Sequence, residues 1–79
     1  MNPLDIIEKA FQSDDGHVYH TVIDDTEKIL IERALEISHG NQLLAARVLG
    51  LNRNTLRTKI KKLNIFVEKH KTERLMVNE

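Results

Sequence analysis

Residues 40–65 of this chain have the sequence GNQLLAARVLGLNRNTLRTKIKKLNI. Asn41 and Asn52 each stand directly before a helix-forming run, where an asparagine side chain can accept hydrogen bonds from the first turn. Gly50 lies between the two runs and can adopt the positive φ that ends a helix. The stretch therefore predicts a helix that starts at Gln42, a tight turn and a second, longer helix, which together form a helix-turn-helix.

The second helix of this unit has one apolar side. Leu56, Ile60 and Leu63 recur at intervals of four and three, so they form a single stripe along the helix. Their expected partners are small or apolar residues of the first helix and the turn: Ala45, Ala46, Leu49 and Leu51. The alanines allow the two helices to approach closely, as a helix-turn-helix requires.

The opposite side of the second helix carries basic, amide and hydroxyl groups and no carboxylate. The residues are Arg53, Asn54, Arg57, Thr58 and Lys61. A guanidinium group matches guanine O6 and N7, and an asparagine amide matches adenine N6 and N7. This side of the helix is therefore suited to the major groove of double-stranded DNA.

The distribution of charge supports the same interpretation, although the formal net charge is zero. Residues 1–39 hold nine acidic and three basic side chains, residues 40–63 hold six basic and no acidic ones, and residues 64–79 hold three of each. DNA affinity depends largely on neutralised phosphates. Basic charge confined to one segment predicts one DNA-facing surface on a body that is otherwise neutral or acidic.

These motifs resemble the DNA-binding unit of the Fis family, which includes nucleoid proteins and the C-terminal domains of NtrC-type activators of sigma-54 RNA polymerase. The resemblance rests on GNQ at residues 40–42, Ala45-Ala46, LGLNRNTLR at residues 49–57, and Lys59-Ile60. It is free of gaps, and a weaker similarity extends back to about residue 17. It implies an all-α, four-helix, dimeric domain in which two dimerisation helices precede the helix-turn-helix.

The predicted DNA-binding residues combine the polar side of the second helix with neighbouring basic and capping residues. They are Asn41, Arg47, Asn52, Arg53, Asn54, Thr55, Arg57, Thr58, Lys59, Lys61 and Lys62. In the Fis family, arginines at the positions of Arg53 and Arg57 contact DNA, so the resemblance implies that both contact bases here. Arg47 and the lysines are expected at phosphates. The asparagines are expected to act first as caps, whose exposed helix N-termini can also bind phosphate.

Two helices are predicted before residue 40. Asn2-Pro3 is typical of a helix start, and the polar residues 13–16 are typical of a turn. Apolar residues at intervals of three and four then predict one long helix over residues 17–39. Two alternatives remain: the β-branched residues 18–23 favour a strand, and a capping box at Asp24 would divide the helix.

The end of this long helix and the chain beyond the helix-turn-helix give further expectations. We expect His39 in the last helical turn and Gly40 at C′, where glycine tolerates a left-handed conformation. Phe66 and Val67 are expected to cover the core, and the rest of the tail to be frayed or partly helical. We divide the chain into dimerisation helices (1–39), a helix-turn-helix (40–65) and a tail (66–79).

The N-terminal helices present more apolar surface than one small domain can cover, so a homodimer is expected. The predicted interface residues are Leu4, Ile7, Phe11, Tyr19, Val22, Ile29 and Leu30. Packed against the same helices of a second subunit, they would form an antiparallel four-helix core. In the Fis family the two N-terminal helices form such an interface.

Several other classes of function have little support in the sequence. The chain has no cysteine, and its longest apolar runs are too short for a membrane span, so we expect a cytoplasmic protein with no membrane association. His17 and His20 are too few to indicate a metal site. No catalytic triad, phosphate loop or ligand cluster is present, so we predict no enzyme activity, catalytic residue, cofactor or metal.

The predicted function is sequence-specific binding of a palindromic double-stranded DNA site by a homodimer that regulates bacterial transcription. As the enhancer-anchoring domain of an NtrC-type two-component activator, it would meet RNA polymerase holoenzyme only through receiver and ATPase domains of a parent protein. The alternatives are a free-standing Fis-like nucleoid protein that bends DNA, and a helical protein-interaction module. The neutral charge favours the activator, because a stand-alone DNA-bending protein usually carries more basic surface.

Overall fold

The computed structural model describes residues 2–13 and 15–71, and these residues contain helices and no strand. The helices are α1 (Pro3–Ser13), α2 (Val18–Ile37), α3 (Gln42–Leu49) and α4 (Arg53–Lys62). A further helical turn covers residues 68–71. In chain order, α1 packs on α2, α2 on α3, and α3 on α4. The predicted all-α architecture, in which two helices precede a helix-turn-helix, is confirmed.

Helix α1 begins as predicted, with Asn2 as its cap. The Asn2 side-chain oxygen accepts from the N–H of Leu4 at 2.8 Å, and Pro3 occupies the first helical position. Ile6 and Ala10 are the buried residues of α1. The other apolar residues of this helix therefore remain available for a different contact.

Helix α2 continues from Val18 to Ile37 without a break, which confirms the long helix against both the strand and the break at Asp24. Packing of an apolar face against two neighbouring helices outweighs the local β-propensity. The expected C-terminus was wrong by one or two residues. His39 lies beyond the helix with φ 55° and takes the left-handed C′ position that we predicted for Gly40.

The residues directly before and after α3 behave as the sequence predicted. The Asn41 side-chain oxygen accepts from the N–H of Leu44 at 3.1 Å, so Asn41 caps α3. Gly50 adopts φ 74°, and the N–H of Leu51 then donates to the carbonyl of Ala46 at 2.9 Å. This bond across the helix end closes the turn and aims the chain into α4.

An asparagine stands near each end of helix α4, as the N-cap Asn52 and as Asn64 directly after the C-cap Leu63. At its start, the Asn52 side chain accepts from the N–H of Asn54 at 2.8 Å. At its end, Asn64 adopts φ 55°, and the N–H of Ile65 donates to the carbonyl of Ile60 at 3.1 Å. Asparagine is one of the few non-glycine residues that enter this left-handed region readily.

A single apolar core joins α2, both helices of the helix-turn-helix and the segment after α4. Its buried members are Ile31, Ala34, Leu35, Ala45, Ala46, Leu56, Ile65 and Val67. The half-buried residues Leu49, Leu51, Ile60 and Leu63 pack against it, as the sequence predicted. The buried alanines face the fully buried Leu56 side chain, which fixes α4 relative to α3.

The segment that follows α4 is folded back onto this core. Val67 is buried as predicted, whereas Phe66 is 76% exposed, so the expectation that Phe66 covers the core was wrong. His70, to which the sequence assigned no role, is buried. The predicted tail beyond residue 71 lies outside the described residues. None of the helices described is both long and apolar enough to cross a membrane.

Candidate nucleic-acid interface

Three basic residues form a ridge along the exposed side of α4. Arg53, Arg57 and Lys61 are spaced four apart and are all exposed. At 3.6 residues per turn they fall within about 80° of one another, and their Cα atoms span about 12 Å along the axis. An α-helix with its side chains is about 10–12 Å across, which fits the width of ~12 Å of the major groove. The ridge thus places three positive charges on one side of a helix that the groove can admit.

Polar side chains lie beside this ridge. Asn54, Thr55 and Thr58 are exposed, and Asn54 and Thr58 line a shallow depression of about 280 Å³ with Arg57 and Lys61. The Thr58 hydroxyl donates to the carbonyl oxygen of Asn54 at 3.0 Å. That bond fixes the rotamer of Thr58 and leaves the oxygen free to accept a further bond. The Asn54 amide has neither end engaged within the described residues.

Lys59 and Lys62 are turned towards α2 instead of the ridge. Lys59 Nζ lies 2.6 Å from Glu27 Oε2, and the lysine side chain is only 30% exposed. Lys62 Nζ lies 3.5 Å from Asp24 Oδ1 in a more exposed pair. The sequence placed both lysines at phosphates on an equal footing with Lys61. Those contacts stay predictions, and the ion pairs favour Lys61 over the other two.

Four of the six basic residues of the helix-turn-helix have no acidic partner among the residues that the structure describes. They are Arg47, Arg53, Arg57 and Lys61. Arg47 is exposed in the last turn of α3, where its charge also complements the helix dipole. Glu27 and Asp24 of α2 therefore neutralise Lys59 and Lys62, whereas the other four cations are available for an anionic partner.

The predicted roles of Asn41 and Asn52 are partly accounted for by capping. Each side-chain oxygen is used by a backbone N–H of its own helix, as described above. The side-chain NH₂ of each residue and the remaining N–H groups of the first turn are still donors. Contact of either residue with a phosphate remains a prediction that is compatible with the capping geometry.

An apolar seam lies on a part of the molecule distinct from the ridge. Tyr19, Ile23, Leu30 and Ile37 are all exposed on α2, and their spacing of four, seven and seven puts them within about 40° of one another. Seven of the eleven large apolar side chains exposed in the described residues belong to α1 and α2. We use the name apolar seam for these seven residues, of which Ile29 lies about 80–120° around α2 from the other four of that helix: Leu4, Phe11, Tyr19, Ile23, Ile29, Leu30 and Ile37.

The seam contains five of the seven predicted interface residues and two further residues, Ile23 and Ile37. Ile7 and Val22, also predicted, are half-buried within the single chain. Ile23 and Ile37 were absent from the predicted interface, although their spacing from Leu30 by seven in each direction is readable in the sequence. The single chain leaves this apolar surface without a cover.

The fold and this surface define a helix-turn-helix domain of the DNA-binding type. A family profile described as "Bacterial regulatory protein, Fis family" matches residues 22–63, which is more than half of the chain. The chain therefore belongs to the Fis family of bacterial regulatory proteins. In the described residues, no group of three histidine, aspartate or glutamate side chains is placed to hold a metal ion.

Curated relatives of two kinds match the chain. The "DNA-binding transcriptional regulator NtrC" of Azospirillum brasilense and that of Bradyrhizobium sp. (strain RP501 Parasponia) are each 50% identical over 50 residues, which cover 63% of this chain and 10% of the relative. "DNA-binding protein Fis" of Proteus mirabilis (strain HI4320) is 39% identical over 49 residues, which cover 62% of this chain and 50% of the relative. No solved structure matches.

Proposed function

We propose that this chain binds double-stranded DNA sequence-specifically as a homodimer and regulates transcription. The observation that carries the proposal is the ridge of Arg53, Arg57 and Lys61, which has no acidic partner among the described residues. In a helix-turn-helix, the second helix enters the major groove and its first turns approach the base edges. Arg53 and Arg57 would contact bases, and Lys61 and Arg47 would contact phosphates.

The homodimer is supported by the apolar seam. Large exposed apolar side chains gathered on two packed helices are typical of an interaction site in a soluble protein. A two-fold axis that crosses α2 near Leu30, perpendicular to the helix, would pack two antiparallel α2 helices with Leu30 against its own copy, because such an interface uses one patch twice. Two α4 helices related by that axis would then read two half-sites, which accounts for the proposed palindromic target.

We propose separate roles for the two parts of the chain. Residues 1–39 would form the dimer, and residues 40–65 would contact DNA. Helix α2 contributes both to the seam, through Leu30, and to the core, through Leu35. A rigid helix that belongs to both units would hold the two α4 helices at a set separation, which binding to two half-sites requires.

Within the family, we propose the role of an enhancer-anchoring domain in an NtrC-type, sigma-54-dependent activator. The higher identity to the NtrC relatives and the neutral net charge support this role over that of a free-standing nucleoid protein. Contact with RNA polymerase holoenzyme would then depend on domains of a parent protein. Sequencing of the gene upstream of this region tests the choice: receiver and ATPase domains are expected, and a short gene without them would favour the nucleoid protein.

The substitutions Arg53→Lys and Arg57→Lys test base contact. Each keeps the positive charge but loses the planar fork that bonds guanine in two places, so we expect a loss of roughly 1–3 kcal/mol on the operator and much less on random DNA. The operator is first selected from a random-sequence pool with the unaltered chain. Affinities for the selected duplex and for a random one are then measured at a single salt concentration.

The matched control for this experiment is Arg47→Lys. Arg47 is an exposed arginine on α3 whose expected partner is a phosphate, and lysine serves equally well as a point charge there. We expect this variant to bind the operator like the parent. Unchanged operator affinity for both Arg53→Lys and Arg57→Lys would show that these two arginines contribute charge alone.

A second prediction separates Lys61 from Lys59. Lys61→Ala should make the slope of log affinity against log salt shallower by about one, because one phosphate contact is lost. Lys59→Ala should change that slope less and should instead lower the free energy of unfolding by up to about 1 kcal/mol, since it removes the pair with Glu27. Salt titrations and urea unfolding measure the two effects. Equal changes in slope would mean that Lys59 leaves Glu27 when DNA binds.

A further inference from the structure

The segment after α4 lies outside the family profile, which ends at residue 63, yet it is well anchored. Ile65 and Val67 are part of the core, and His70 is 6% exposed. Lys69 Nζ lies 3.6 Å from Glu32 Oε2 on α2, which adds an ion pair to these apolar contacts. Residues 65–71 are therefore a fixed part of the surface next to the helix-turn-helix.

Gly40 shows how closely this segment approaches the turn between α2 and α3. A Cβ atom at Gly40 would lie 2.6 Å from Cγ of Lys71 and 3.1 Å from its backbone nitrogen. A side chain at Gly40 would force the Lys71 backbone to shift by a few tenths of an ångström, and the φ of 81° at Gly40 also favours glycine. The position of Lys71 is therefore set by backbone packing and not only by its flexible side chain.

This packing brings Lys71 to the same cleft as the two arginines of α4. The cleft has a volume of about 720 Å³ and is lined by Arg53, Arg57, Lys71 and Glu68, with the start of α3 on the other side. Ligand sites commonly have volumes of roughly 300–1,000 Å³, so the cleft has room for a phosphate group. Three cations and one carboxylate leave it with a formal charge of +2.

We propose that residues 65–71 form a second DNA-contacting element, in which Lys71 binds a backbone phosphate beside the bases approached by Arg53 and Arg57. The proposal rests on the DNA binding proposed above and adds a residue that lies beyond the helix-turn-helix. Lys71 Nζ is 3.8 Å from Glu68 Oε1, in an exposed pair that contributes little to stability. A phosphate can therefore replace Glu68 as the partner of the ammonium group at small cost.

Lys71→Ala, with Lys69→Ala as its matched control, tests the proposal. Both variants lose one lysine from the same segment, but Lys69 faces Glu32 and lies away from the cleft. Binding of the 79-residue chain to a random-sequence duplex of roughly 30 base pairs, about three turns of B-DNA, is measured from low to high salt. Urea unfolding of each variant checks that the fold is retained.

We expect Lys71→Ala to make the slope of log affinity against log salt shallower by about 0.9, the value for one phosphate contact. If the variant and the parent bind equally at 1 M salt, that change in slope weakens binding by about 8-fold at 0.1 M salt. Lys69→Ala should match the parent, and Lys71→Arg should retain parental binding. An unchanged slope and affinity in Lys71→Ala, or an equal loss in Lys69→Ala, would overturn the proposal. If the Lys71 proposal fails in this way but Arg57→Ala weakens binding to the same duplex, DNA binding by α4 still stands and only the role of Lys71 is rejected. No binding by the unaltered chain at low salt would overturn both.

Discussion

Leu30→Asp should convert the proposed dimer into a folded monomer. Leu30 is 54% exposed in the single chain, so an aspartate there is solvated and the helix has no cause to unfold. In the dimer, the same carboxylate would be buried against its own copy without a partner. Burial of an unpaired charge costs at least about 3 kcal/mol, which is a loss of about 100-fold or more in dimer affinity.

Sedimentation of the parent and the variant at tens of micromolar, with circular dichroism to check the helices, measures this effect. Val48→Asp is the matched control, because Val48 is an exposed apolar residue on α3, outside the apolar seam. We expect that variant to sediment like the parent. A parent that sediments only as a monomer in this range would remove the basis of the homodimer, and a dimeric Leu30→Asp variant would place the interface elsewhere.

The loss of the dimer should also weaken DNA binding. One chain can contact only one half-site, so the contribution of the second α4 helix disappears. Binding to an isolated half-site should then be nearly the same for the parent and for Leu30→Asp. Equal affinity of the two proteins for the full palindromic site would show that dimerisation does not contribute to recognition.

Leu56→Ala should cause the largest loss of stability by a single truncation in the helix-turn-helix. Leu56 is fully buried and joins α4 to the core formed by α2 and α3. Removal of its side chain leaves a cavity that the alanines beside it cannot fill, and such changes cost about 2–5 kcal/mol. A chain of this size has a free energy of unfolding of roughly 4–12 kcal/mol, so a large part of it would be lost.

Leu43→Ala is the control for this substitution because it removes the same atoms from a side chain that is 50% exposed. We expect a loss below about 1 kcal/mol for it. Urea unfolding of the three proteins at one chain concentration measures the difference, since dimer stability depends on concentration. Similar losses for the two leucines would mean that α4 does not depend on Leu56 for its position.

The sequence alone was sufficient for the elements whose signals are local. Asn41 and Asn52 cap their helices, and Gly50 ends α3 in the left-handed conformation, because each depends on the chemistry of a few consecutive residues. The period of apolar residues also predicted the unbroken α2, since a stripe at intervals of three and four requires a helix. Asn64 carried the same type of signal at the end of α4, and we did not predict it.

Tertiary structure alone decided which basic residues of the described chain have acidic partners. The helical period already separates Lys61 from Lys59 and Lys62, but only the placement of α2 beside α4 brings Glu27 Oε2 to within 2.6 Å of Lys59 Nζ. Likewise, the approach of Lys71 to Gly40 joins residues 31 positions apart, and no local pattern indicates it. Capping and periodicity act within a few residues of chain, whereas ion pairing and close backbone packing depend on how whole helices are placed against one another.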